Sequence, residues 1–249
     1  HPEQDRFAFG AQELVPICKV TGGACAGALA GETMPPWAEG WQYFRARIEG
    51  AFLRFFWSPD HRTWRVQSKD GVNLELGVPL DDGTYAGGLE ENPKAPGEIY
   101  RWHLVRQYDS RGEPDALPNP KPVNVIHYRY ASDGAIAYLS DIYHTPPVAD
   151  PGTKDLAKLA HHARVIYAVR PDASTSYRAG FAQEQRVRVA RVDVTSKAFS
   201  SGAGAARQLV RRYHLAYDPD AHASLLEAVQ MEGRCAAPVD EGADGTLSA

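Results

Sequence analysis

Apolar and polar residues alternate with a period of two along most of this chain, which predicts strands rather than helices. Trp41–Ile48 and Ala51–Trp57 read as two strands around a Glu49-Gly50 turn. Thr63–Ser68 and Val72–Leu76 read as two more, joined through Lys69-Asp70-Gly71, where Asp-Gly suits the positive φ of a hairpin turn. Ser58-Pro59-Asp60-His61 is a turn by composition, because proline fixes φ and aspartate bonds its own backbone. Residues 79–98 break the alternation and predict a long irregular loop.

Strands resume at Ile99–Tyr108 and, beyond a proline-rich spacer at 113–122, at Val123–Tyr130 and Ala135–Tyr143 around Ser132-Asp133-Gly134. Arg164–Val169, Arg186–Thr195, Arg207–Tyr217 and Ser224–Met231 complete the series. In Arg186–Thr195 the valines face one way and the charges the other, so Arg186, Arg188 and Arg191 are expected to face water. Only Lys154–Ala160 has helical character. The fold class that follows is all-β: an extended antiparallel meander sheet, curved or sandwich-like, whose apolar side must be covered by a second layer or by curling. No repeat is strict enough for a propeller or solenoid. Residues 1–237 read as one β-domain, and 238–249 as an acidic tail or linker.

Composition narrows the function classes. The 249 residues are 43% hydrophobic and 23% charged, as in ordinary globular proteins, and are enough to bury a core without metal. The 22 glycines and 18 prolines favour turns over long helices. A net charge of −4 argues against nucleic-acid binding. No stretch of 18 apolar residues predicts a transmembrane helix, so no membrane insertion is expected. The chain opens on His1-Pro2 without Met, so a processed chain or a piece of a larger one is expected. Cys18 and Cys25 bracket a short glycine-containing loop and are a candidate disulfide in an oxidising compartment, with two free thiols as the alternative; Cys235 is left over.

Catalytic and metal signatures are sparse. His161-His162 are adjacent, which turns them apart in a strand and about 100° apart in a helix. Asp81-Asp82 and Glu90-Glu91 lack the spacing of a calcium loop. Ser174-Thr175-Ser176 followed by Gln183-Glu184-Gln185 superficially matches arginine-modifying ADP-ribosyltransferases, but Gln185 stands where the second glutamate is needed. No zinc spacing, Walker loop, nucleophile elbow or dinucleotide glycine pattern occurs. The expectation is therefore no enzyme, no metal and no cofactor. Trp37, Trp41, Trp57 and Trp64 lie close in sequence and read first as sheet core, with a sugar-binding aromatic platform as the alternative.

The order of several short motifs carries a resemblance. These are Asp5–Val15, Tyr43–Glu49, Trp64–Gly71, Tyr100–Leu104, Tyr108–Gly112, Tyr128–Tyr130, Ala137–Tyr143, Tyr177–Phe181 and Arg211–Tyr217, with Ser224-Leu225-Leu226 before Gly233. Together they resemble the amino-terminal SpvB region, shared by SpvB and the B component of tripartite Tc insecticidal toxins (TcaC/TcdB type). The Tyr-Asp-x-x-Gly element also resembles the YD repeats of RHS proteins. Within the 1–237 domain this gives an aromatic meander at 1–78, YD-like hairpins at 99–145 and carboxy-terminal strands at 163–235. The resemblance implies a strip of the hollow Tc/RHS β-shell, a non-catalytic segment of a secreted toxin that encapsulates or presents a toxin domain. The implied partners are the remainder of the parent toxin chain or a Tc C-component-like RHS protein. A carbohydrate- or surface-binding domain built on the tryptophans is the rival reading.

Overall fold

The computed structural model describes residues 6–21, 24–26, 34–113, 121–202, 205–234 and 236–247, with the side chains of 18–21, 24–26, 113 and 121 outside the description. It divides into two compact units, the first formed by residues up to Leu89 plus Trp102–Val123, the second by Glu90–Arg101 plus residues from Asn124 onward.

In the first unit the strands are β1 (Phe7–Phe9), β2 (Gln12–Thr21), β3 (Ala24–Ala26), β4 (Gln42–Ala46), β5 (Arg54–Trp57), β6 (Thr63–Gln67) and β7 (Asn73–Gly77). The short β8 (Leu89–Glu91) and β9 (Ile99–Trp102), most of whose residues belong to the second unit, pair with each other; β10 (Leu104–Tyr108), β11 (Gly112–Glu113) and β12 (Lys121–Pro122) follow in the first. The order β1-β2-β4-β5-β6-β7-β10 is antiparallel throughout, with β3 on β2 and β11 on β12. The Asp-Gly hairpin forms as expected: Gly71 has φ +83, and the Ser68 amide donates to the Val72 carbonyl at 2.9 Å.

This unit buries both faces of its sheet. Leu14, Phe44, Phe55, Trp57, Trp64 and Val66 pack on one side; Tyr43 and Phe56 turn to the other, where Trp41 and Ala38 meet them. A 3-10 turn at Pro36–Ala38 supplies that second layer. Consecutive aromatics at 43–44 and 55–57 require this arrangement, because neighbours in a strand point to opposite faces. The expected strand Ile99–Tyr108 is divided at His103, whose amide donates to Gly88 at 2.7 Å while its carbonyl accepts from Gly77 at 2.8 Å. Its two backbone groups serve different segments, which interrupts the regular ladder.

The second unit runs β13 (Ile126–Asp133), β14 (Ile136–His144), β15 (His161–Ser176), β16 (Gln183–Ser196), β17 (Gln208–Tyr217) and β18 (Leu226–Glu232), each antiparallel to the next. β15 and β16 extend well past their expected ends, to 16 and 14 residues, with register shifts at Ile166/Tyr167 and Val169/Ser174. The helix expected at 154–160 is instead one 3-10 turn, Leu156–Lys158, because Asp155 caps it by accepting from the Ala157 amide and the chain extends again at Leu159. His161-His162 accordingly opens β15.

The interior of this unit is unusually polar. Beside Val125, Ala137, Leu159, Ala160, Leu209 and Leu247 it buries Glu90, His127, His162, Asp193, Thr195, Arg207, Arg212 and Glu241. Among the described residues, no helix is long and apolar enough to cross a membrane.

Candidate functional site

Pairing of β14, β15 and β16 sets Tyr143, His162 and Thr195 in one cross-strand row. His162 is 1% exposed, stacked on Tyr143 at 4.1 Å, and each ring nitrogen faces a carboxylate: Nε2 to Asp141 at 2.9 Å and Nδ1 to Glu241 at 3.0 Å. Glu241 also accepts from the Thr195 hydroxyl and from Nε and Nη2 of Arg207 at 3.0 and 2.9 Å. Arg207 spends its remaining nitrogen on the carbonyls of Leu156, Ala157 and Leu159, at and just after the 3-10 turn.

The charges reinforce one another. Burial pulls the His162 imidazole down, but the hydrogen bonds and charges of Asp141 and Glu241 outweigh it and hold its pKa above the ordinary value. Burial likewise raises Asp141 and Glu241, and their hydrogen-bond donors reverse that, leaving both below the usual carboxylate range. Burial and the nearby Asp141 and Glu241 charges push the Tyr143 phenol up to about 12. With a carboxylate on each nitrogen, His162 has no free lone pair for relaying a proton from Thr195. The cluster is a fastener.

What it fastens is the segment expected to be a tail or linker. Of 238–249 the structure describes residues up to 247. The Leu209 amide donates to Val239 O at 2.9 Å, the Glu241 amide donates to Arg207 O at 2.7 Å, and Glu241 bridges Leu247. Arg164 reaches the Asp244 carbonyl at 2.6 Å. An acidic, glycine-bearing sequence conceals this because the attachment joins backbone pairing to one buried carboxylate, and neither shows in hydrophobic alternation. A cavity of about 560 Å³ opens beside the segment. Of its two cations, Arg207 is neutralised by Glu241, and Lys197, held below its usual pKa by burial and Arg207, donates to the Ala157 carbonyl.

The charged side of β16 departs from expectation at its carboxy-terminal end. Asp193 is buried and accepts from Arg212 at 2.8 Å and pairs with Arg191 at 3.0 Å, whereas Arg186 stays exposed. Further along, Asp172 takes a bidentate pair from Arg170 at 2.9 and 2.7 Å and also holds the amide and hydroxyl of Ser224, just before β18. In the first unit Glu75 is fully buried, receiving Arg106 at 3.0 Å, the Tyr108 hydroxyl at 2.7 Å and the Leu80 amide at 3.0 Å. Burial, then the Glu75 charge, drive the Tyr108 pKa far upward.

β18 ends the strand order. Six of its seven residues are exposed, and because successive side chains alternate, both faces of the strand are open. Leu226, Val229 and Met231 are 53–58% exposed, with Leu225 beside them.

The residues singled out in the sequence fall as follows. Trp41, Trp57 and Trp64 are buried, and Trp57 stacks on Trp64 and on His61. Trp37 is half-buried with the Arg65 guanidinium 3.9 Å over its ring. The structure thus seats these rings in the core. The β2–β3 register sets Cys25 opposite Val20 and Cys18 two positions further along. Their side chains, Cys235 and most of the 113–122 spacer lie outside the described residues. Among the described residues no three His, Cys, Asp or Glu side chains are grouped to hold a metal ion.

No protein-family model and no curated protein matches the chain. Solved structures do. The N-terminal domain of effector protein SpvB from Salmonella typhimurium strain LT2 is similar at a TM-score of 0.60 and 18% identity, over 89% of this chain and 78% of that one. A chain of the TcdB2-TccC3-Cdc42 crystal structure gives 0.65 and 20%, over 99% of this chain and 13% of that one. The Photorhabdus luminescens Tc holotoxin pore gives 0.61 and 20%, over 95% and 12%. This chain therefore spans about an eighth of the two Tc chains. At these identities the shared property is the fold: the chain has the β-fold of the SpvB N-terminal domain and of one segment of the Tc toxin chains.

Proposed function

We propose that this chain is a non-catalytic structural segment of a secreted SpvB/Tc-type toxin, a strip of β-wall that encapsulates or presents a toxin domain. The observation that carries this reading is the open edge at β18. An exposed edge strand with apolar residues on both faces is a liability in an isolated domain and an asset where another strand continues the sheet. The occupant is a further strand of the toxin wall, from the same chain or from a Tc C-component-like RHS partner. The buried ionic fasteners suit such a role, because they fix strand positions.

Sedimentation velocity of the isolated chain over a concentration series tests this. The wild type associates as concentration rises, and Val229→Lys with Met231→Lys, which place charges on the edge, returns it to a folded monomer. A wild type that stays monomeric across the series overturns the reading.

A further inference from the structure

Direct pairing across β14 and β15 also sets His144 opposite His161, on the face away from the buried fastener. The two rings lie 4.7 Å apart, inclined by 34°. Two imidazoles sharing one metal through Nε2 at about 2.0–2.1 Å have centroids roughly 4.5 Å apart at a right-angled N–metal–N arrangement and roughly 5.2 Å apart at a tetrahedral one, and the observed spacing falls between these. We propose that His144 and His161 form a two-imidazole site for a borderline divalent transition metal such as Ni²⁺, Cu²⁺ or Zn²⁺.

The surrounding hydroxyls can accept an Nδ1–H, as the tautomer this needs requires. His144 Nδ1 lies 2.9 Å from the Thr145 hydroxyl, and His161 Nδ1 lies 2.9 Å from the Ser196 hydroxyl. An Nδ1–H donated to a hydroxyl leaves the lone pair on Nε2, and such outer contacts orient metal-binding histidines. Among the described residues neither Nε2 has a hydrogen-bond partner. His162, with both nitrogens on carboxylates, shows the contrasting arrangement.

The site is held and reachable. Ser196 is the direct partner of His161 across β16. Thr145 adopts φ +65, rare for a β-branched residue, and its carbonyl accepts the Ala160 amide at 2.9 Å, which fixes the segment beside His144. His144 is exposed and His161 half-buried, so a hydrated ion can approach. Two protein ligands leave coordination positions for water or for a donor from another molecule.

Ni²⁺ titration of the untagged chain, followed through histidine proton resonances and the thermal midpoint, tests the proposal. One equivalent is expected to bind saturably at micromolar Ni²⁺ and to raise the midpoint. His144→Gln and His161→Gln each weaken binding by about tenfold or more, and Ser196→Ala weakens it several-fold while preserving the fold. His222→Gln, an exposed control, leaves it unchanged. Absence of saturable binding at millimolar Ni²⁺, or binding that persists in both histidine variants, overturns the site. Because the readout is metal occupancy, it is independent of the wall reading.

Discussion

His162 Nδ1 and a Glu241 carboxylate oxygen, 79 residues apart in sequence, lie 3.0 Å apart in the interior of the second unit. The contact joins the start of β15 to a segment beyond β18. Removing one partner of such a pair leaves the other charge buried and uncompensated. Glu241→Gln is therefore expected to destabilise the chain by about 3 kcal/mol, read as a lower urea midpoint. Asp240→Asn, next door but exposed and with its side chain on Gln208, should change stability by about 0.5 kcal/mol or less.

The same cluster sets a pH window. Asp141 and Glu241 have folded pKa values below the ordinary range, so their contribution is complete above about pH 4–5 and is lost as pH falls through the lowered values. His162 is shifted upward, so its contribution is complete below about pH 6.5 and is lost as pH rises through its raised folded value. Thermal midpoints across pH should show a plateau between those limits. His162→Gln should lower the plateau and remove the decline on its alkaline side that belongs to this histidine.

Gly77 offers a steric test within the first unit. It has φ +89, and an added Cβ would meet the Arg62 carbonyl oxygen at 2.3 Å and the Trp102 ring at 2.6 Å. Gly77→Ala is expected to cost about 3 kcal/mol or more, combining a left-handed backbone with overpacking against rigid atoms. Gly10 also has positive φ but open space around it, so Gly10→Asn should cost less than about 1 kcal/mol.

The tryptophans should behave as core. Trp64→Ala is expected to lose about 3–5 kcal/mol of stability. Acrylamide should quench only a minor part of the wild-type emission, mainly from half-buried Trp37 and Trp102. Strong quenching together with a sugar-dependent emission shift would instead favour an aromatic platform.

Much of the fold was legible because strand alternation and turn chemistry are local. Asp70-Gly71 and Asp133-Gly134 marked hairpins that form, and the aromatic run around β4 and β5 marked the core. The second unit was harder to read because its interior is held by pairs such as Asp193–Arg212 and Glu241–Arg207, whose members look like surface charges until strand pairing brings them together. The two-histidine cluster was hidden for the same reason: the adjacent pair His161-His162 turns apart, and the useful neighbour of His161 is His144, across the ladder. The resemblance to the SpvB region, carried by motif order, anticipated the shared fold.

Backbone amide exchange over residues 226–232 is the sharpest test of the open edge at β18. The outward amides of β18 should exchange rapidly in dilute protein and become markedly protected as concentration rises, with β14–β17 protected throughout. Protection of β18 already complete in dilute monomer, or exchange that stays fast at every concentration, would contradict the claim that this edge exists to receive another strand.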